Sequence, residues 1–292
     1  MGQKQFNAKI DELLENIENT LPRKYGQLTR AADRARLMVE DILAKYADSN
    51  GIIPRNKQGA VIRDLARVEG QIYRDIQAEL QIMFNATAEA TAVGLSTAIA
   101  TAIDIAALLA VKELAESLAD ITLLFPALIG KSTEKFIQDM ARTPFNRKDS
   151  DGLRLNDRLQ DISRVIIREV SGTLRTSIRK GEVTSEMNRK VKRGFSSLAW
   201  RLKTIAETET LYVHRNTIAT FAELSGIATG LRIQDYPHGK AGEHERHKCY
   251  EYANVDAHGM GKGVYPVGTR KIRHPHPRCR STLHLVLDDR LA

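Results

Sequence analysis

Aromatic residues are scarce in this chain of 292 residues: they make up 5%, with a single tryptophan, Trp200. A deep aromatic-lined ligand pocket is therefore not expected. Cysteine is scarcer still. The two cysteines, Cys249 and Cys279, lie in the last fifth of the chain, which excludes a disulfide framework as the main stabiliser. The N-terminus is amphipathic and charged, with no basic start leading into an apolar run, so no secretory signal is expected and a reducing cytoplasm suits the cysteine usage. A Walker loop, a dinucleotide fingerprint, a helix-turn-helix and zinc-finger repeats are also missing. Neither an NTPase nor a sequence-specific nucleic-acid reader is indicated.

Charge, in contrast, leans one way. Lys and Arg number 44 against 36 Asp and Glu, a net charge of +8 that favours an acidic partner such as nucleic acid. The hydrophobic share of 42% is ordinary for a globular protein, and the length allows one large domain or two modest ones.

Helical periodicity dominates the first three quarters of the chain. Phe6, Ile10, Leu13, Leu14, Ile17 and Leu21 share one face, and Pro22 is expected to close that helix. A second helix is expected through Tyr46, with Leu28, Met38, Ile42 and Leu43 inside, before a break at Asp48–Pro54. From Gln58, Val61, Leu65, Val68, Ile72, Ile76 and Leu80 predict a long helix. Residues 85–111 are small and apolar, but Glu89 and Asp104 argue for tightly packed helices over a membrane span. Residues 146–152 read as an exposed linker. Leu159, Ile162, Ile166, Val170, Leu174 and Ile178 form the next stripe, with Gly181 as its cap. Thr184 is expected to cap a following helix, and a further one is expected over 198–224. After Gly230 the texture changes: 231–236, 264–267 and 282–287 alternate like strands. The expected fold is mainly α: a long helical N-terminal body with a small α+β C-terminal domain. Its expected divisions are 1–150, 151–227 and a basic, histidine-rich 228–292.

That last segment concentrates the chemistry. Seven of the eight histidines (His238, His244, His247, His258, His274, His276 and His284) lie in it with both cysteines. His247 with Cys249 and His276 with Cys279 form two close pairs of the kind a tetrahedral Zn²⁺ site uses, although neither spacing is the regular one. Turn chemistry for the His-Pro segment and plain burial for the cysteines account for the same residues without a metal. Glu243, Glu245 and Asp256 lie nearby, so a metal-dependent nuclease is the alternative reading, with no catalytic residue assignable. Two basic segments are candidates for contacting phosphates. One is Arg189, Lys190, Lys192 and Arg193; the other is Arg270, Lys271, Arg273, Arg278 and Arg280. Solvated basic faces are the simpler account of both.

The order of these features carries a resemblance. Ile205-Ala206-Glu207-Thr208-Glu209 is followed by Arg215-Asn216, then Cys249, then His274-Pro275-His276-Pro277-Arg278-Cys279-Arg280. Over residues 155–287 this is similar to the C-terminal region of the phage Mu F-like minor head, or head morphogenesis, proteins. Thr208, Glu209, Asn216, Cys249, His276, Pro277, Cys279 and Arg280 fit that pattern. Glu207 stands where the family has arginine, while Tyr252 and Ser281 stand where it has cysteines. A four-thiolate site is therefore impossible, and histidines must substitute in any metal site. The resemblance implies a virion protein without enzymatic activity, made in the host cytoplasm. It would be bound to the portal protein and inner capsid and in contact with double-stranded DNA.

Overall fold

The computed structural model describes residues 2–103, 105–112, 120–149, 151–235, 247–274 and 276–291. Asp104, Tyr236, His238, Glu243, His244 and Glu245, weighed above, lie outside them. The chain runs through α1 (Gly2–Tyr46), a single 3₁₀ turn (Arg55–Lys57), α2 (Gln58–Ala102), α3 (Ile105–Val111), α4 (Ile121–Ile129) and α5 (Thr133–Asn146). It continues with α6 (Leu155–Lys180), α7 (Thr184–Ser225), β1 (Ala228–Gln234), α8 (Lys248–Asn254), β2 (Val264–Pro266) and β3 (Thr282–Leu287). The architecture is mainly helical with one small sheet near the C-terminus.

Two expected helix breaks are absent. α1 continues through Pro22, and α7 runs unbroken from Thr184 to Ser225. An interior proline costs roughly 3 kcal/mol. The buried stripe nevertheless carries on past it as Leu28, Ala31, Ala32, Ala35, Val39 and Leu43, each side chain gaining by burial. Met38 and Ile42, expected inside, are only half-buried. In α7 the reason is packing. Gly194 faces Val170 and Ile166 of α6, where a Cβ would stand 3.4 Å and 3.9 Å from their side chains, and it ends nothing. The stop at Gly181 is as expected: it adopts φ +69° and its N–H returns to the Ile178 carbonyl.

The described chain divides into two compact units, and the expected boundaries at 150/151 and 227/228 do not coincide with the division. One unit comprises Met1–Leu21, Met83–Thr143 and Glu207–Ala292; the other comprises Pro22–Ile82 and Pro144–Ala206. Within the second, Leu65, Ile72 and Ile76 of α2 are buried, as are Leu159, Ile166, Val170 and Leu174 of α6 and Met187, Val191 and Leu202 of α7. Within the first, the small residues of α2 behave as close-packing surface. Ala88, Ala92 and Ala98 are fully buried, and Leu13 of α1 lies directly over Gly94. Phe125 stacks on Phe221 at 5.3 Å and meets Phe136 edge-on. Among the described residues no helix is long and apolar enough to cross a membrane.

The sheet of this unit has the order β2-β1-β3, antiparallel throughout, with Leu231 opposite Tyr265 on one side and Leu285 on the other. The start of α1 is clasped to β3. Gln3 donates to the Leu285 carbonyl and accepts from the Leu287 N–H at 2.7 Å, and Asp11 bonds His284 Nε2 at 2.7 Å.

Candidate metal centre

The C-terminal part of α7 buries Glu207, Thr208, Glu209, Arg215 and Asn216, none more than 5% exposed. Polar groups this deep need partners, and the segment 273–281 supplies them. Arg215 Nε donates to the Arg273 carbonyl at 2.8 Å, and its Nη1 donates to the carbonyls of Cys279 (2.6 Å) and Ser281 (3.3 Å). One rigid guanidinium thus sets the path of the whole segment. Asn216 Oδ1 accepts from Arg273 Nη1 at 3.0 Å, and Arg273 Nη2 donates to Glu223. Glu207 accepts from Arg278 Nε at 2.9 Å and from Arg280 Nη2 at 3.2 Å, while Thr208 Oγ1 accepts from the Arg278 N–H at 3.2 Å. Arg278 has φ +55°, a left-handed conformation uncommon for a residue with a side chain. These bonds hold that turn just before the buried Cys279.

α8 supplies the facing half. His247 is its N-cap residue, and Cys249 lies buried in its first turn. Cys249 Sγ is 3.0 Å from His276 Nε2, and the ligand atoms of His247, Cys249 and His276 all lie within 4.8 Å of one another. The two imidazoles meet edge-to-face at 4.6 Å. His276 Nδ1 lies 2.8 Å from the Pro277 carbonyl, which can only accept. Nδ1 therefore carries the proton and donates it, leaving the Nε2 lone pair towards the sulfur in the neutral ring.

Cys279 stands against the same cluster. Its sulfur accepts from the Cys249 thiol and lies 2.9 Å from Ser281 Oγ. That thiol hydrogen bond, followed by the Arg215 charge, holds Cys279 far below the ordinary thiol range despite its burial. The same bond, together with burial, pushes Cys249 up. The partner sulfur of Cys279 raises His276. The His247–Cys249–His276 group can hold a metal ion, with soft and borderline donors already converging. Asp235 Oδ1, 3.8 Å from Cys249 Sγ, is placed to support it from outside.

Three of the four residues expected as ligands, His247, Cys249 and His276, therefore come together, and Cys279 lies beside them outside that group. The other described histidines of the segment do not join them. His258 packs on Tyr265, His274 on Tyr212, and His284 on Asp11. Glu209 is fully buried in α7, and Pro277 is exposed in the turn.

The basic segments divide. Lys192, Arg193, Arg270 and Lys271 are exposed, although Lys271 also lies over the rings of Tyr252 and Tyr265. Arg189 is exposed but paired with Glu186, and Lys190 is held by Glu182 and Ser177. Arg278 and Arg280 share the buried carboxylate of Glu207. Arg273 departs from the expectation of a phosphate contact, because its guanidinium is buried and committed to Asn216 and Glu223.

Sequence reasoning missed the roles of Arg215, Ser281, Asp235 and Glu207. Arg215 left one signal: a lone arginine among the buried Leu211, Val213, Ile218 and Ala219 of one helix. No protein-family model, curated protein or solved structure matches the chain.

Proposed function

We propose that the chain is a minor head protein of a tailed bacteriophage, of the Mu F-like kind, with its C-terminal segment stapled by zinc. The observation that carries this reading is the interlock of residues 207–216 with 273–281. These are the two halves of the resembled motif order, and they bond through Glu207, Thr208, Arg215 and Asn216. Glu207, the departure from the family pattern, is the counter-ion of Arg278 and Arg280 and so belongs to the same lock. Zinc fits the donor set of one thiol and two imidazoles, offered by α8 and by the turn before β3, with the Cys279 sulfur beside it as the fourth expected donor. Ser281, in a cysteine position of the family, supports the Cys279 sulfur with its hydroxyl.

In this role the helices dock on the portal and inner capsid wall during assembly in the host cytoplasm. Exposed cations such as Lys192, Arg193, Arg270 and Lys271 touch packaged DNA in the virion without reading its sequence, which also suits a part in genome ejection. Quantitative mass spectrometry of purified virions, normalised to the portal protein, tests it. A few copies per portal are expected. Absence from virions, despite expression in infected cells, overturns the reading.

A second reading has one observation in its favour. Three ligands with an exposed member, His247, resemble a catalytic site that keeps a coordination position open. A nuclease of this kind would cut plasmid DNA with Zn, Mg or Mn and lose that activity in His276→Ala. No cleavage with any of the three removes it.

A further inference from the structure

A groove of about 360 Å³ between α2 and α6 contains none of the residues discussed as metal ligands or basic segments. Its floor is apolar, with Ile62 and Ala66 from α2 and Ile167 from α6. Arg164, Arg168 and Arg175 line it from one face of α6, at steps of four and seven residues. At Gly172, between the last two, an added Cβ would meet nothing within 4 Å, so the backbone there is open to close approach. The one carboxylate in the lining, Glu69, faces Arg164 at 3.9 Å.

The arginines of this unit differ in their partners. Arg34, Arg36 and Arg67 each have an acidic partner. Among the described residues, Arg168, Arg175 and Arg179 have none, and all three are exposed. Arg179 continues the row one turn beyond Arg175. At 1.5 Å per residue, the span from Arg164 to Arg179 is about 22 Å.

We propose that this groove binds the sugar-phosphate backbone of DNA. A row of that length is too extended for one small anion and suits a polymer with a phosphate at every step. Guanidinium forks take phosphate oxygens in pairs, and the apolar floor suits the faces of deoxyribose. The lining has no aromatic ring, so bases have no stacking platform and the groove reads no sequence. The proposal rests on the head-protein reading only in choosing DNA over an acidic protein, and it does not depend on the metal centre.

The test uses the full chain and an Arg168→Ala/Arg175→Ala/Arg179→Ala variant, with fluorescence anisotropy of a labelled duplex of about 30 base pairs. Each lost phosphate contact lowers the slope of log affinity against log salt by about 0.9, so the variant's slope should be shallower by about 2.7. Between roughly 50 and 200 mM KCl, the wild type should therefore lose about 40-fold more affinity than the variant. The triple lysine variant should retain the steep slope, and an unchanged thermal midpoint would show that the alanine variant is folded. Equal slopes and affinities for wild type and alanine variant overturn the proposal. Arginine-dependent binding of polyglutamate, with duplex binding unaffected, also overturns it and points to an acidic protein partner. Failure of the head-protein reading would show in virion composition, so the two failures are distinguishable.

Discussion

Arg215 donates to three carbonyls that lie 58 to 66 residues further along the chain, from a position 1% exposed. A lysine offers no planar fork, so Arg215→Lys should destabilise nearly as much as Arg215→Met, by about 3–5 kcal/mol in urea unfolding. A loss below about 1 kcal/mol would mean that those carbonyls find other donors. Its neighbour His214 sets a pH dependence. Burial, then the Arg215 charge, lowers its pKa to about 3, while its Nδ1 lies 3.1 Å from Thr91 Oγ1. The unfolded chain takes up this proton near pH 6.5 and the folded one only near 3. Stability from this group is thus complete above 6.5 and is lost as pH falls through that window. The loss is on the order of 3 kcal/mol by pH 4. His214→Gln should flatten that part of the profile, and parallel profiles in wild type and variant would contradict a neutral buried ring. Glu207 has a functional counterpart. Glu207→Gln releases Arg278 and leaves Arg280 with Glu18 alone, both arginines being about half exposed, and should tighten duplex binding at low salt. Unchanged affinity would remove those two arginines from the DNA-contacting set.

At the scale of elements, local residues decide where the chain turns and where it does not. Gly263, just before β2, has φ +71°, and a Cβ there would stand 2.8 Å from the carbonyl oxygens of both Ala253 and Ile233. Gly263→Ala should cost about 2 kcal/mol or more, because strain and a clash with backbone act together. A thermal midpoint within a degree or so of wild type would show that the turn relaxes freely. The same residue type acts otherwise at Gly194, which lies against Val170 and Ile166 of α6 without interrupting α7. Pro22 likewise leaves α1 intact. Glycine and proline mark a boundary only when the packing on either side does not continue the helix.

For the whole molecule, the candidate metal centre links residues from α8, the turn before β3 and, through Arg215, α7. Zinc binding to the folded chain alone should raise its stability by about 4 kcal/mol at a free concentration 1,000 times Kd. The measurement is thermal unfolding of chelator-treated protein with and without Zn²⁺, compared with Cys249→Ser and His276→Ala. No rise in midpoint for wild type would remove zinc from the site. The net charge of +8 acts over the same scale. The unpaired arginines of α6 and the exposed cations near β2 are the part of that charge on which the proposed DNA contacts rest.

By itself the sequence determined the mainly helical class, the three strands, the Gly181 stop and the two His/Cys pairs of the candidate site. Each is a local signal: a repeat of three and four, an alternation, a left-handed glycine, or donors close together in the chain. Only the tertiary structure decided that Pro22 and Gly194 lie inside continuous helices, because burial of side chains distant in sequence outweighs a local breaker. It also decided which histidines converge. His247 and His276 meet at Cys249, while His258, His274 and His284 are engaged elsewhere, a selection that composition does not encode. Arg273 turned inward and Glu207 became a shared counter-ion for the same reason. A charge buried by the fold must find its partner there, and the partner is named by proximity in space.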